Sequence, residues 1–297
     1  MQSILTDLNI RHETDMPLGP LTWYGVGGAA RVLAHPSSVQ QLAALVARCH
    51  DLSVPIYVLG AGANVLVADQ GVPGIVIRLD DPCFKQLRVD KTLVAVGAGY
   101  DLARLVLETA RQGLAGLECL AGIPATVGGA VRMNAGGAFG DIGRSVARIQ
   151  VMDQTGQVYY RDRDDLVFSY RKTNIAARFI IEAELELTPE DSEAILKRVK
   201  EIFAFKSASQ PLREHSAGCA FKNPPPEVGL SAGQLIDRAG LKGYSHGKAE
   251  VSDHHANFVI AHPGATAGDV IAVINHVQSV VAERFGVQLE REVVIWP

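Results

Sequence analysis

The sequence predicts an α+β protein of two domains, and three observations carry that prediction. Its 297 residues exceed the ~250 at which a single core stops growing. Short strand-like runs alternate with helical apolar faces along the chain, an alternation that reads as α+β. A change of character near Pro189, from alternating strands to amphipathic helices, marks a boundary. Composition narrows the class further. With 47% hydrophobic and 20% charged residues the chain can bury a sizeable core, and its net charge of −4 offers no electrostatic footprint for nucleic acid. No uninterrupted apolar run reaches the ~18 residues a membrane span needs. Cys49, Cys83, Cys119 and Cys219 show no metal-ligand spacing, and no basic-then-apolar leader opens the chain, which points to a reduced, cytoplasmic protein with no metal and no membrane partner.

Residues 1 to 30 have little periodicity and end in the glycine cluster Gly25, Gly27 and Gly28. Ser37 or Ser38 then caps a helix, with Gln40 or Gln41 closing a capping box and Val39, Leu42, Leu45 and Val46 on its apolar face. VPIYVLG is a buried strand running into Gly60, Ala61, Gly62, Ala63, Asn64 and Val65. A dinucleotide fingerprint would need a third glycine where Val65 stands and a helix directly after it. Instead VLVADQGVPGIVIRL reads as two strands about a turn. TLVAVGAG is a further strand, and Asp101 caps a helix whose Leu102, Leu105, Val106 and Thr109 share one face.

That helix leads into Gly116 to Gly140, a stretch dense in glycine. Such a cluster is tolerated where positive φ or close backbone approach is needed. It fits a phosphate cradle of successive N–H groups or a set of tight turns, and the residues alone leave both open. IQVMDQTGQVYYR reads as a hairpin turning at Asp153 to Gly156. In RFIIEAELEL, Ile181, Ala183, Leu185 and Leu187 face inward against outward Glu182, Glu184 and Glu186. Residues 189–297 supply an amphipathic helix on Ile195, Leu196, Val199, Ile202 and Phe203, then a strand-sized SAGCAFKNPPP. A short helix from Ser231 and Gln234 to Gly240 follows, then a strand in EVSDHHANFVI, a helix from Thr266 to Phe285 stopped by Gly286, and a final strand in VQLEREVVI.

The motifs TWYGVGGAA, LGAGANVL, GLECLAGIPATVGGAVRMNAGG, FSYRKTN, SAGCAFKNP, GLKGYSHGKAEVSDHHANFVI and LEREV occur in one order, and together they resemble the UDP-N-acetylenolpyruvoylglucosamine reductase (MurB) family over nearly the whole chain. The resemblance implies an FAD-binding domain of the vanillyl-alcohol oxidase/PCMH type over 1–188, in two α+β subdomains (roughly 1–80 and 81–188). A smaller α+β substrate-binding domain follows over 189–297, whose last strand can pack back on the first. It also implies reduction of an enolpyruvyl UDP-sugar in peptidoglycan synthesis, with NADPH as hydride donor and non-covalent FAD. A monomer or weak homo-oligomer is expected. The glycine motifs hold no histidine for covalent flavin attachment. The two other readings are a different flavin oxidase or dehydrogenase of the same fold, and a non-catalytic nucleotide-binding module.

Carried over by matching motif, Gly60 to Val65 line the cofactor together with Gly122, Ile123, Pro124, Thr126, Val127, Gly128 and Gly129, with Ile181 near its adenosine end. Ala63 and Ala125 stand where the family often has serine and glycine. Arg171 binds the enolpyruvyl carboxylate, for which a planar guanidinium fork is well shaped. Cys219 occupies the place of the family's proton-donating serine; a thiol with an ordinary pKa of about 8.5 is mostly protonated at neutral pH and can serve. Glu292 is the third catalytic residue by motif, although Glu290 shares its face in a strand. Tyr170, Lys222, Asn223 and His255 are candidates for the substrate, and adjacent His254 and His255 on a strand would face opposite ways. The short interval between Arg171 and Cys219 leaves no room for the insertion that brings a substrate-covering tyrosine, so the chain resembles the shorter type.

Overall fold

The computed structural model describes Ile4, Leu5 and residues 7–297. Two compact units make up the chain. The first comprises the chain through Asp15, Arg31–Ala61 and Gly74–Phe205, and the second Met16–Ala30, Gly62–Pro73 and Lys206–Pro297. The sequence boundary was expected at residue 188, whereas the first unit extends to Phe205. The reason is packing: on helix α4 (Ser192–Ser209), Ile195 and Val199 are buried in the first unit's core with Leu196 and Ile202 against them. Phe203, expected on that face, is 51% exposed instead.

The first unit is built on a five-stranded antiparallel sheet in the order Val158–Asp162, Val146–Met152, Phe179–Glu186, Leu93–Gly97, Leu87–Asp90. The alternation of its central strand is the one the sequence shows, with Ala183 and Leu185 fully buried and Glu186 exposed. The hairpin turns where Asp153 Oδ1 accepts from the N–H groups of Thr155 (2.8 Å) and Gln157 (3.1 Å), an Asx-type closure. A second sheet orders Arg11–Pro17, Ala29–His35, Val72–Ile77 and Ile56–Val58, the last two parallel. Helix α1 (Val39–Asp51) starts at Ser38, whose Oγ accepts from the Gln41 N–H at 3.1 Å. Gln41 Oε1 accepts from the Ser37 N–H at 2.8 Å, so both serines serve one terminus. Helix α2 (Leu102–Arg111) is capped by Asp101, which accepts from the Arg104 N–H at 2.7 Å. The glycine stretch contains a one-turn-and-a-half helix α3 (Val127–Arg132) that no periodicity announced.

In the second unit, α5 (Ala232–Arg238) and α6 (Ala267–Phe285) both open on complete capping boxes, Ser231 with Gln234 and Thr266 with Asp269. Gly286, at φ +67°, ends α6 in the left-handed conformation that glycine adopts at low cost. Val270, Val273, Ile274, Val277 and Val281 of α6 are buried, each such side chain contributing about 1.5–3 kcal/mol. Three sequence expectations change here. EVSDHHANFVI is two antiparallel strands, Ala249–Val251 and Val259–Ala261, joined by a turn, which places His254 and His255 off any strand. SAGCAFKNPPP forms isolated bridges only, Cys219 with Phe258 and Phe221 with Arg291, because its prolines have no N–H to continue a ladder. Of VQLEREVVI only Val294 and Ile295 are in a strand, which continues to Trp296 and pairs in parallel with Val65–Val67. VLVADQGVPGIVIRL does give two strands, Val65–Val67 and Val72–Ile77, but they join different sheets.

Candidate active site

A cavity of about 490 Å³ lies in the first unit, within the size range of ligand pockets. Its wall takes in Gly60 and Ala61, Gly99 to Asp101, Ala125, Thr126, Gly128 and Gly129, and Phe179 and Ile180. Ile181 lies one residue beyond that wall; it is 4% exposed in the core, and its carbonyl accepts from the Ala98 N–H at 2.8 Å.

The two glycine segments differ in what their backbones do. In the second, the Val127 N–H donates to Tyr100 O (2.9 Å), Gly128 N–H to Ala98 O (2.8 Å) and Ile123 N–H to Leu120 O (3.0 Å). The Gly129 N–H donates to Thr126 Oγ1 at 3.3 Å. The first two hold α3 to the chain just after strand Leu93–Gly97, the other two close a local turn and cap α3, and none is spare for an anion. Gly128 is glycine because a Cβ there would stand 2.8 Å from the Cβ of Ala98, and Gly60 because one would stand 2.7 Å from Thr126 Oγ1. In the first segment, by contrast, the N–H groups of Gly60, Ala61, Gly62, Ala63 and Asn64 donate to no protein acceptor among the described residues. That is the state an anion-cradling run requires.

Tyr170 and Arg171 form the two-residue tip of a hairpin, Phe168–Ser169 against Lys172–Thr173. Arg171 has φ +53°, a conformation that disfavours any residue with a Cβ. Its guanidinium lies 5.3 Å from the Tyr170 ring centroid. The hairpin is fixed by Asn134, 3% exposed, which donates to Ser169 O (2.9 Å) and accepts from the Gly143 N–H (3.0 Å).

In the second unit, Gly218 (φ +74°) turns the chain into Cys219, which is half-buried. The Glu292 N–H donates to Ala220 O at 2.9 Å, and the Lys222 N–H to Glu290 O at 2.8 Å, so two distant motifs lie side by side. Glu290 is exposed and ion-paired with the Lys222 ammonium, whereas Glu292 is half-buried. Asn64 Nδ2 donates to Glu292 O (3.1 Å), and the Val294 N–H donates to Asn64 O (3.0 Å). Asn223 Oδ1 accepts from the Ala232 N–H at the start of α5 (3.0 Å). His255 is a donor of fixed tautomer. Its Nδ1 accepts from the Asn257 N–H (3.2 Å), which leaves the proton on Nε2 of the neutral ring, and burial lowers its pKa.

Two kinds of residue escaped the sequence reading. Asn257, 3% exposed, accepts from the Phe221 N–H (3.0 Å), donates to Phe221 O (2.7 Å) and, through its carbonyl, accepts from the Ala220 N–H (2.7 Å). With Asn134 it shares the one available signal, an amide side chain inside an otherwise apolar segment. The other kind is the charge on the cavity wall, where Arg78, Lys85, Arg104, Arg132 and Arg178 come from five separate stretches of chain and leave no local cluster to read.

Comparison with known proteins accounts for both units. The family model of the UDP-N-acetylenolpyruvoylglucosamine reductase C-terminal domain matches residues 210–296, and that of an FAD binding domain matches residues 30–160. A UDP-N-acetylenolpyruvoylglucosamine reductase from Desulfosudis oleivorans is 42% identical over 308 residues, covering 99% of this chain and 97% of that protein. One from Heliobacterium modesticaldum is 38% identical, covering 99% and 93%. Among solved structures, the UDP-N-acetylenolpyruvylglucosamine reductase (MurB) of Thermus caldophilus aligns with a TM-score of 0.81 at 38% identity, over 97% of this chain and 99% of that one. A berberine bridge enzyme variant, at 17% identity and a TM-score of 0.50 over 64% of this chain and 43% of that one, is alike in fold alone. The fold is thus the α+β FAD-binding type expected from the motifs, and the chain belongs to the UDP-N-acetylenolpyruvoylglucosamine reductase family.

Proposed function

We propose that this chain reduces UDP-N-acetyl-3-O-(1-carboxyvinyl)-glucosamine to UDP-N-acetylmuramate in peptidoglycan synthesis, with non-covalent FAD and NADPH. The residues present fit such a cofactor. A cavity of about 490 Å³ and a run of backbone N–H groups without protein acceptors at Gly60–Asn64 suit a nucleotide and its pyrophosphate. FAD, when bound, carries hydride from NADPH to the vinyl carbon of the substrate.

The protein's share is electrostatic and protonic. As hydride reaches the vinyl carbon, negative charge develops on the adjacent carbon and its carboxylate. Preorganised positive charge is the usual means of stabilising such an enolate. Arg171 supplies it, and its positive φ supports that role, since strain at a non-glycine residue is kept where the side chain is needed. Cys219 gives its thiol proton to the carbon next to the carboxylate, completing the addition of one hydride and one proton across the double bond. Glu292 polarises or reprotonates in support. The observation that carries this reading is the Glu292 N–H to Ala220 O bond, which brings the acid next to the proton donor's segment.

Tyr170, Asn223 and His255 act on the substrate, His255 as a donor through Nε2. Lys222, whose ammonium pairs with Glu290, joins them on the substrate. The first unit's cavity carries the cofactor, and the segment from Lys206 onward carries the sugar nucleotide. The protein works in the cytoplasm as a monomer or weak homo-oligomer, and no helix among the described residues is long and apolar enough to cross a membrane.

The test is optical. The purified protein is expected to be yellow, to bleach with NADPH under anaerobic conditions and to regain colour with the enolpyruvyl substrate. A colourless protein that takes up no FAD, or one reoxidised by dioxygen and not by that substrate, would overturn the reading.

A further inference from the structure

The cavity wall of the first unit carries five cations, Arg78, Lys85, Arg104, Arg132 and Arg178, against two carboxylates, Asp80 and Asp101. Three of the five are engaged. Arg78 lies 3.7 Å from Asp80, a carboxylate that also holds His35 Nδ1 at 2.8 Å. Arg104 Nε donates to Glu108 at 2.8 Å. Arg132 turns inward and donates to the carbonyls of Ile175, Ala177 and Arg178. Lys85 and Arg178 are different, for neither has a carboxylate within 4.0 Å among the described residues.

We propose that Lys85 and Arg178 supply the counter-charge for the phosphate groups of the nucleotide held in this cavity. This assignment rests on the reading that the cavity takes FAD. Arg178 is the stronger of the two. Its charge stands close enough to Arg132 to contribute, after burial, to lowering that group's pKa. Two guanidiniums sharing a wall repel one another, and an anion between or beside them turns that repulsion into attraction. A guanidinium is also the side chain best matched to phosphate in shape, forming paired charge-assisted hydrogen bonds. The backbone donors of the Gly60 loop and these side chains then divide the work: the loop fixes position, and the cations add affinity that depends on ionic strength.

The experiment compares ligands that share the isoalloxazine ring and ribityl chain and differ in the adenosine diphosphate that carries the charge. Full-length protein stripped of flavin is titrated with FAD and with riboflavin, following flavin fluorescence, for the wild type, Arg178→Ala, Arg178→Lys and Lys85→Ala. Arg178→Ala is expected to weaken FAD roughly tenfold, the loss of one charge-assisted contact, with partial recovery in Arg178→Lys. Lys85→Ala should weaken FAD by roughly threefold, as an exposed point charge would. Riboflavin should bind all four within about twofold, and raising the salt should weaken FAD more for the wild type than for Arg178→Ala. Wild type that binds FAD while the variants match it within about twofold overturns this assignment alone. A rise in the KM for NADPH with unchanged FAD affinity also overturns it, assigning the cations to the donor's phosphates. Wild type that binds no FAD overturns the functional reading and this assignment with it.

Discussion

The main-chain N–H of Glu292 donates to the carbonyl of Ala220 at 2.9 Å, and the Glu292 carbonyl accepts from Asn64 Nδ2 at 3.1 Å. One residue of the LEREV motif is therefore clamped between the segment that presents Cys219 and the side chain of Asn64, all within the second unit.

Replacing Cys219 separates the two half-reactions. Cys219→Ala should leave reduction of the flavin by NADPH within about twofold of wild type, and should slow reoxidation by substrate roughly 10²- to 10⁴-fold, the range for loss of a general acid. Cys219→Ser should keep appreciable turnover. Stopped-flow absorbance measures each step, and equal loss of both half-reactions would remove Cys219 from proton donation.

Arg171 offers a test that separates activity from stability. Glycine at φ +53° relieves about 1 kcal/mol of backbone strain, offset in part by the larger entropy of the unfolded chain. Arg171→Gly also gives up the guanidinium's contact with the Tyr170 ring, so its unfolding should shift by no more than about 1 kcal/mol in either direction while carboxylate binding and nearly all turnover are lost. Retained turnover in a well-folded Arg171→Gly protein would refute the role.

Asn257 holds both polar groups of Phe221 in a buried place. Asn257→Ala strands a buried N–H and a buried carbonyl, at about 1–3 kcal/mol each. Urea unfolding should show a loss of that order, with weaker substrate binding and little change in flavin content. A loss under about 0.5 kcal/mol would mean that water replaces the amide.

His255 makes a pH prediction. Burial depresses its folded pKa below the unfolded value of about 6.5. Its contribution to stability is then complete above that value and declines as pH falls from there toward the folded pKa, because only the unfolded chain takes up the proton. Between pH 7.5 and 5.5, roughly one unit either side of that value, the Tm of wild type should fall further than that of His255→Gln. Parallel slopes would contradict it.

Much of this was legible in the sequence, and for local reasons. Asp101 and Ser231 cap the helices they were expected to cap, Ser38 is the one of the two expected serines that caps α1, and Gly286 ends α6, because each such signal acts within one turn of the backbone. The alternation from Phe179 to Glu186 told its own burial for the same reason. What needed the folded chain was pairing at a distance. Val294–Trp296 joins Val65–Val67. Phe203 stays in solvent where helical spacing put it inside, and Glu290, exposed and paired with Lys222, parts from the half-buried Glu292 because the segment is not the regular strand in which the two would share a face. The glycine stretches show the division most clearly. Composition marked both as places where the backbone comes close to something. Only the hydrogen-bond partners showed that Val127, Gly128 and Gly129 spend their N–H groups on the protein itself, while Gly60 to Asn64 keep theirs. A residue's conformational freedom is written in its side chain; where its donors go depends on which other segments fold against it.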